Sequence, residues 1–465
     1  MGVSYTRLMK RSDMTDGGIA IMMVRFAVPL FLSNLLQQLY NAFDAVVVGN
    51  YVSSDALAAV GASGPFINMI IAFFMGMSMG AGVLISQAYG ANDYKEMHGF
   101  VHTAISQAVL LGAVLSIIGI IITPDVLRLM KTPEEIFPDA VIYLRIYFAG
   151  LSTLAVYDIG AAILIAVGDT RRPLYFLIVS TVIHIIVNLL TVIVLNMGIA
   201  GVACSTVFSQ LVTAVLVIVA LRKSDGPQKL RLRSLRLNLS YISRIFRIGL
   251  PGGIQTSIVS ASNIIVQSYI NMLGAQAVAG YSATSKLDAF IMLPVQTLSM
   301  AVATFVGQNL GAGKVKRARQ GVKIAVVGGV VLTAAISFVS VVNGKFMLRM
   351  FTPEDDVLEY GMRFLRVFAP SYFILSFSQI IPGALRGAGN VRMAMFTCVG
   401  SFVGLRQLYL FFVTKWLYTP ETVALSYPLT WAIAGAILTV YYIRSDWSRF
   451  ERGAPEVPER VAVME

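Results

Sequence analysis

Apolar segments of about 20 residues, the length that crosses a bilayer as a helix, recur from one end of this chain to the other. Short stretches rich in polar residues, glycine and proline separate them. The composition agrees, because 57% of the 465 residues are hydrophobic and only 13% are charged, whereas soluble domains carry about 25% charged residues. The short alternating segments of a transmembrane β-barrel do not occur. The sequence therefore predicts an all-α polytopic membrane protein.

Reading the apolar windows against this punctuation predicts twelve transmembrane helices. They cover residues 22–48, 58–86, 98–122, 138–166, 173–195, 199–221, 247–271, 277–306, 321–343, 358–384, 392–415 and 421–443. The predicted domains are an N-terminal segment (1–21), a six-helix bundle (22–221), a basic linker (222–246), a second six-helix bundle (247–443) and a tail (444–465).

The Lys and Arg residues between the predicted spans lie almost entirely on one side of the membrane. That side includes both termini and the segment 222–247, which alone carries eight of them. The connections on the other side hold only Arg128, Lys131, Lys345, Arg349 and Lys415. Because cytoplasmic loops are enriched in Lys and Arg, we expect a multi-pass plasma (inner) membrane protein with both termini in the cytoplasm. The same loops account for the net charge of +12 without a nucleic-acid partner.

The two halves of the chain resemble each other at an offset of 220 to 222 residues. ISQAYGANDYKEMHG (85–99) matches VGQNLGAGKVKRARQ (306–320), and AVGDTRR (166–172) matches GAGNVRM (387–393). Each copy contains six spans, an even number, so both copies enter the membrane from the same side. They are parallel repeats, related by a pseudo-two-fold axis along the membrane normal. Such repeats typically enclose a substrate site near the midplane and rock between inward-open and outward-open states.

The first predicted span contains one carboxylate, Asp44. Asn34, Gln37, Tyr40 and Asn41 precede it at helical spacing and form a polar stripe with it. Lipid cannot satisfy such a stripe, so it faces a partner helix or a wet cavity, and intramembrane acids often mark ion or substrate paths. The alternative is an acid wetted at the outer boundary, because the helix leading up to Asp44 is about as long as the hydrocarbon thickness of about 30 Å.

Two further polar stripes stand at helical spacing. Span 5 carries His184, Asn188 and Thr191, and span 7 carries Thr256, Asn263 and Gln267. Interhelical packing is the alternative role for these side chains. Two stripes in the first half predict a shared polar pocket, whereas the stripe on span 7 lacks a carboxylate, so the two halves differ in charge.

Arg406 lies well inside span 11. An intramembrane guanidinium needs a counter-ion, a carbonyl group or a cavity, and Asp288 on span 8 is a candidate partner. The pattern leaves open whether Arg406 is structural or belongs to the substrate path.

The chain resembles a known family at several motifs. FDAVVVGNYVSSDALAAVGASGP (43–65) is similar to the first-span signature of the multidrug and toxic compound extrusion (MATE) transporters. Four further segments resemble that family's loops after spans 2, 8, 4 and 10: QAYGAND (87–93), GQNLGAG (307–313), GDTRRP (168–173) and LRGAGN (385–390). The resemblance extends over essentially residues 25–444. It implies a twelve-helix fold of two bundles, with no cofactor.

The resemblance also implies a function, namely an antiporter that exports varied, often cationic amphipathic molecules while H+ or Na+ enters. It makes Asp44 the coupling carboxylate. The chain is closer to the branch resembling DinF than to the NorM-like branch. Alignment on MGIAG (197–201) places His184 at an Asn of that branch and Asn188 at its second acid, which is therefore missing here.

The coupling ion follows from the same residues. One acid with neutral neighbours makes a weak metal site, so we expect H+ at Asp44, with Na+ bound by Asp44 and Asn188 as the alternative. We expect the chain to work as a monomer on a small-molecule substrate in the lipid bilayer. The sequence does not name that substrate.

Two other classes compete with the exporter. A flippase for lipid-linked oligosaccharides or their precursors, from the same superfamily, often carries more spans and several cavity cations that bind a pyrophosphate, and only Arg406 and Lys286 are candidates here. An intramembrane enzyme, the more remote alternative, would need a nucleophile with its base or a set of metal ligands. The chain has three histidines and neither an HExxH nor a GxSxG motif.

Overall fold

The computed structural model describes residues 14–450. Residues 1–13 and 451–465, which belong to the predicted N-terminal segment and tail, lie outside the described residues, as do the side chains of Asn41, Ala45, Ser54 and Arg449. Within 14–450 the regular structure is helical throughout, without strands. The predicted all-α class is confirmed.

The described residues form fifteen α-helices. Seven lie in the first half: α1 (Ile19–Tyr51), α2 (Ser54–Gly90), α3 (Tyr94–Leu129), α4 (Phe137–Ala149), α5 (Leu151–Ala166), α6 (Arg171–Leu189) and α7 (Gly198–Arg222). Eight lie in the second half: α8 (Leu239–Asn271), α9 (Ala275–Gly311), α10 (Val315–Arg349), α11 (Asp355–Phe368), α12 (Tyr372–Gly387), α13 (Val391–Val399), α14 (Arg406–Val413) and α15 (Pro420–Arg444). A π-helical turn, Leu190–Val194, follows α6, and another, Gly400–Leu405, joins α13 to α14.

The helices account for the predicted spans. Within the described residues, ten helical segments are long and apolar enough to cross a membrane, and α4 with α5, bent by 48°, makes an eleventh. The one predicted span outside this set is span 7, residues 247–271. It falls on α8, which has 33 residues but is not apolar enough to be counted. The difference arises because α8 carries the polar stripe predicted for span 7.

The internal repeat is visible in the backbone. Gly168 and Gly389, which stand at matching positions of the two halves, adopt positive φ angles of 91° and 79°. Asn92 and Gly313 form a second matched pair, at 56° and 70°. Glycine adopts this conformation readily, and asparagine is one of the few other residues that tolerate it. The matched loops therefore turn in the same way in both copies.

One compact unit consists of residues 28–85 and 94–253. Its helices approach closely where small residues meet. A Cβ added to Gly112 of α3 would lie 2.5 Å from the Cα of Ser152 on α5, and one added to Gly160 of α5 would lie 2.7 Å from the side chain of Val217 on α7. Small residues at such crossings are typical of helix packing in membranes. These contacts fix α3, α5 and α7 relative to one another.

The second unit contains residues 86–93, 254–450 and the described part of 13–27. Its core includes an aromatic cluster on α9, α11 and α15, formed by Tyr281, Phe364, Phe368, Tyr427 and Trp431. A Cβ added to Gly383 of α12 would lie 2.5 Å from the carbonyl oxygen of Ser299 on α9, so these two helices also cross closely.

Two matched segments of the repeat, QAYG (87–90) and QNLG (308–311), contact each other within this second unit. A Cβ on Gly90 would lie 1.9 Å from the carbonyl oxygen of Gln308, and a Cβ on Gly311 would lie 2.0 Å from that of Gln87. Nε2 of Gln87 also donates to the carbonyl oxygen of Gly387, at 2.8 Å. The two copies therefore meet backbone to backbone, and only glycine fits at either point.

Candidate functional site

Asp44 is held by two side chains of α6. Its Oδ1 lies 2.6 Å from Nε2 of His184 and accepts a hydrogen bond from Nδ2 of Asn188, at 2.8 Å. The Asp44 side chain is 18% exposed. α1 continues for seven residues beyond Asp44, to Tyr51, so the carboxylate lies within the helix and not at its end. The structure thus brings together the three residues that the sequence assigned to ion coupling.

The spacing of residues on α6 explains this contact. His184 and Asn188 are one helical turn apart and share a face, and both are completely buried. Thr191, in the π-helical turn that follows, donates to the carbonyl oxygen of Gly201 on α7, at 3.0 Å. This bond ties the end of α6 to α7.

The hydrogen-bonded chain continues from His184 through Tyr40 to α7. The Tyr40 hydroxyl lies 3.0 Å from Nδ1 of His184 and 3.1 Å from Oγ of Ser209, and the rings of Tyr40 and His184 are 4.1 Å apart. Ser209 donates to the carbonyl oxygen of Thr206. Asp44, His184, Tyr40 and Ser209 therefore form an unbroken chain of hydrogen bonds across three helices.

This chain can accommodate both charge states of Asp44. With Asp44 ionised, Nε2–H of His184 donates to the carboxylate, Nδ1 accepts from Tyr40, and Ser209 joins the chain by turning its hydroxyl from the carbonyl oxygen of Thr206 to Tyr40. With Asp44 protonated, its hydroxyl donates to Nε2, Nδ1–H donates to Tyr40, and Tyr40 donates to Ser209. A neutral imidazole carries its proton on either nitrogen, so the exchange requires only hydrogens to move.

The remaining predicted residues of α1 lie apart from this chain. Gln37 is exposed and makes no hydrogen bond within the described residues, and Asn34 is half-buried. The side chain of Asn41 lies outside the described residues. Ser209 was not among the predicted site residues. Its signal was a polar stripe on span 6, with serine or threonine at positions 205, 206, 209 and 213.

In the second half, Arg406 is 3% exposed. Its Nη1 donates to Oδ1 of Asn263 on α8 and its Nη2 to Oγ1 of Thr430 on α15, each at 3.1 Å. The guanidinium carbon lies 4.2 Å from the centre of the Tyr427 ring. Both hydrogen-bond acceptors are neutral. Thr430 and Tyr427 were not among the predicted site residues.

The predicted pairing of Arg406 with Asp288 is wrong. Asp288 accepts a hydrogen bond from the hydroxyl of Tyr372, and no ion pair joins it to Arg406. Arg406 instead donates its hydrogen bonds to α8 and α15.

The other predicted residues of α8 do not join this group. Thr256 is exposed, and Nε2 of Gln267 donates to Oδ1 of Asn271, at 2.8 Å. Within residues 14–450, no cluster of three or more His, Cys, Asp or Glu side chains is placed to hold a metal ion.

Comparisons with known proteins give a consistent picture. The family model described as MatE matches residues 29–190 and 251–411. The Bacillus subtilis protein described as probable multidrug resistance protein YoeA is 32% identical over 429 residues, which cover 90% of this chain and 92% of the relative. Probable multidrug resistance protein YpnP, from the same organism, is 27% identical over 439 residues, or 94% of this chain and 98% of the relative.

Among solved structures, a MOP superfamily transporter from Pyrococcus furiosus is similar to this chain. The TM-score is 0.87 at 19% identity, with 95% of this chain and 98% of the other covered. The two proteins share their fold over nearly their whole length.

Proposed function

Because this chain belongs to the MatE family and is a membrane transporter rather than an enzyme, we propose that it is an H+-coupled antiporter that exports varied, often cationic amphipathic, small molecules. Two of its relatives are described as probable multidrug resistance proteins, which supports a broad range of exported compounds. The site of action is the plasma membrane, with both termini in the cytoplasm and one chain as the working unit.

The observation that carries the proposal is the environment of Asp44. This carboxylate lies within a membrane-spanning helix, is partly accessible, and contacts a histidine whose second nitrogen contacts Tyr40. Intramembrane acids and histidines in chains of this kind act as proton relays. Asp44 takes up a proton from one side of the membrane and releases it on the other, and His184 adjusts its tautomer to each state.

Na+ is the alternative coupling ion. A hard cation prefers several oxygen ligands. Among the described side chains that contact Asp44, Asn188 turns its amide nitrogen toward the carboxylate and His184 presents a ring nitrogen. Oδ1 of Asn188 is buried with no partner in the described part of the chain, and it is a neutral oxygen that a Na+ site would gain. The set of ligands favours H+.

The coupling follows from the repeat. We propose that the bundles 22–221 and 247–443 are the two moving parts, that 222–246 tethers them, and that protonation of Asp44 stabilises one arrangement of the first bundle and releases substrate. Parallel repeats around a central site commonly alternate their access in this way.

Transport by purified protein in liposomes tests the proposal. A cationic dye should be exchanged when an H+ gradient is imposed at equal Na+, and not when a Na+ gradient is imposed at equal pH. Asp44→Asn should reduce the H+-driven rate to background while the dye still binds, because the variant keeps the size of the side chain and loses the titrating group.

Asp158→Asn is the matched control, because Asp158 is another half-buried carboxylate of the first bundle, on α5. It should keep most of the wild-type rate. Wild-type exchange in Asp44→Asn, or equal losses in the two variants, would refute the assignment to Asp44. Exchange driven by a Na+ gradient alone would show that the protein couples transport to Na+ and not to H+.

A flippase for lipid-linked pyrophosphates remains the second candidate, because one buried cation, Arg406, is available on α14. Displacement of a bound cationic dye separates the two functions. An exporter releases the dye to other amphipathic compounds, whereas a flippase releases it to isoprenoid pyrophosphates.

A further inference from the structure

The connection between α7 and α8 exposes leucines where a purely solvated linker would expose polar side chains. We call residues 230–239, which read LRLRSLRLNL, the strap. Its exposed leucines are Leu232, Leu235, Leu237 and Leu239, and their exposed fractions range from 36% to 81%. Apolar side chains grouped on a surface mark a place where that surface meets a membrane or another molecule.

Arginines are interleaved with these leucines. Arg231, Arg233 and Arg236 are exposed, and none of them takes part in an ion pair within the described part of the chain. The strap itself contains no acid. Segments that lie in the plane of a membrane interface have this composition, with apolar side chains at the acyl boundary and cations near the lipid headgroups. The strap therefore complements a surface that is both apolar and anionic.

The start of the strap is fixed to two helices. Leu230 is buried, and its N–H donates to the carbonyl oxygen of Leu221 on α7, at 3.0 Å. The N–H of Arg231 donates to Nε2 of His102 on α3, also at 3.0 Å. Nδ1–H of His102 donates to the carbonyl oxygen of His98, at 2.8 Å, so both nitrogens of this ring are engaged. The backbone at this end is therefore held against α3 and α7.

The far end of the strap is fixed to α3 as well. The ring of Tyr241, near the start of α8, lies 4.7 Å from the ring of Phe100 on α3, between centroids. Arg244 forms an ion pair with Glu96, and its guanidinium carbon lies 4.7 Å from the centre of the Phe100 ring. The exposed leucines and arginines stand between these two anchors, so the strap keeps a fixed position along α3.

That position is the boundary of the membrane. His102 lies inside the predicted span 98–122, one helical turn or about 6 Å past its first residue. Because the headgroup region adjoins the hydrocarbon core, a strap bonded to His102 lies at the level of the headgroups and not in bulk water. The strap and its anchors all belong to the first compact unit.

We propose that the strap is a binding site for anionic phospholipid, with its leucines inserted at the acyl boundary and Arg231, Arg233 and Arg236 placed on the lipid phosphates. In the orientation proposed above, the strap faces the cytoplasmic leaflet, whose negative surface potential attracts cations close to the membrane. Lipid binding here is separate from H+ coupling at Asp44, so the two proposals can fail independently.

A phospholipid accounts for both kinds of side chain in the strap, whereas other occupants account for one. A free phosphate ion would bind the arginines and leave the four leucines in water. A second copy of the chain that met the strap about a two-fold axis would bring the same arginines against each other, and like charges placed face to face are unfavourable.

Quenching of tryptophan fluorescence by brominated lipid tests the proposal on the full chain. Leu235→Trp places a reporter within the strap, and wild-type protein, with three tryptophans, gives the background. The vesicles always hold equal amounts of phosphatidylcholine and phosphatidylglycerol, and only the lipid that carries the bromine changes. Brominated phosphatidylglycerol should quench the reporter about twofold more strongly, because anionic headgroups gather beside the arginines. Absence of quenching by either lipid, or equal quenching by both, would overturn the proposal.

A triple variant of the reporter chain locates the effect. Arg231→Gln, Arg233→Gln and Arg236→Gln together should make the two brominated lipids equally effective, because the charges that select the headgroup are gone. Quenching by brominated phosphatidylcholine should remain, because the leucines still hold the strap at the acyl boundary. A preference for phosphatidylglycerol that survives in this variant would contradict the role of the arginines.

The same linker offers a matched control. Arg222→Gln, Lys223→Gln and Lys229→Gln together also remove three exposed positive charges, but these lie outside the strap and apart from its leucines. The control should keep the preference for phosphatidylglycerol. If it loses as much of the preference as the strap variant does, the linker acts as an unspecific basic segment and the proposal fails.

Further arms separate the lipid from other occupants and from the transport function. Inorganic phosphate should lower the preference no more than chloride at equal ionic strength, and a larger loss would assign the arginines to a soluble anion. Protection of the reporter from both lipids that disappears when the protein is diluted in lipid would assign the strap to a second copy. Leu237→Trp should repeat the result at a second position, and Asp44→Asn should keep it even where transport is abolished.

Discussion

The two halves of the molecule each bury a basic side chain on the fifth span of the repeat, His184 and Arg406, and give it different partners. In the first half His184 contacts Asp44 and is linked through Tyr40 to Ser209. In the second half Arg406 contacts only neutral side chains. The comparison teaches that equivalent spans of a duplicated fold can hold a buried base in different ways, one against a carboxylate and the other against neutral side chains. We propose ion coupling in the first half.

The largest effect that separates the halves is expected at His184. His184→Leu should lower the H+-driven exchange rate by about 10- to 100-fold, because hydrogen bonds to a charged group are worth about 1.5–3 kcal/mol. Exchange of the cationic dye in liposomes measures it. His184→Gln keeps a side-chain N–H for Asp44 but carries no exchangeable tautomer. If the glutamine variant matches wild type, His184 only positions Asp44 and the relay is wrong.

A smaller effect is expected from the aromatic face beside Arg406. Tyr427→Leu should lower the free energy of unfolding by about 0.5–2 kcal/mol, because the cation–π contact with Arg406 is lost, and thermal unfolding of the purified protein measures it. Tyr427→Phe keeps the ring and removes the hydroxyl that lies 2.8 Å from the hydroxyl of Tyr281. The phenylalanine variant should therefore be almost as stable as wild type. The reverse order of the two variants would mean that the hydroxyl, and not the ring, matters.

The smallest effect is expected at Tyr40. Tyr40→Phe preserves the ring packing on His184, with centroids 4.1 Å apart, but interrupts the chain to Ser209. A neutral hydrogen bond contributes about 1 kcal/mol, so the H+-driven rate should fall by about fivefold. Ser209→Ala is the matched variant at the other end of the same bond. A loss in Tyr40→Phe without one in Ser209→Ala would show that the chain ends at the tyrosine.

Much of the fold could be predicted because lipid imposes a simple rule. A segment that crosses hydrocarbon must bond its own backbone and present an apolar surface, so the spans can be read as long apolar runs. The exception is α8, where the polar stripe interrupts the apolar run of the predicted span 247–271 and lowers its hydropathy. The bend between α4 and α5 was missed, because Gly150 with Ser152 and Thr153 is too short an interruption to divide the apolar run 138–166.

The candidate site was less accessible to sequence reasoning. Polar stripes indicate the face of a helix and not its neighbour, so Asp44, His184 and Asn188 could be grouped, while Gln37 on the same stripe proved exposed. The partner of Arg406 was mistaken for a related reason. The π-helical turn Gly400–Leu405 precedes it, and an additional residue per turn changes the direction of all side chains that follow, which periodicity at 3.6 residues does not reveal.

The contact between QAYG (87–90) and QNLG (308–311) has a consequence for the history of the chain. Gly90 lies against the backbone of Gln308, and Gly311 lies against the backbone of Gln87. Each copy of the motif therefore limits which residues fit in the other copy. After a duplication, most positions of two copies drift apart independently. Gly90 and Gly311 cannot, since a side chain gained at either position would clash with the backbone of the other segment. The contact between the two copies therefore preserves a glycine at the same position of each, and with it a visible trace of the duplication.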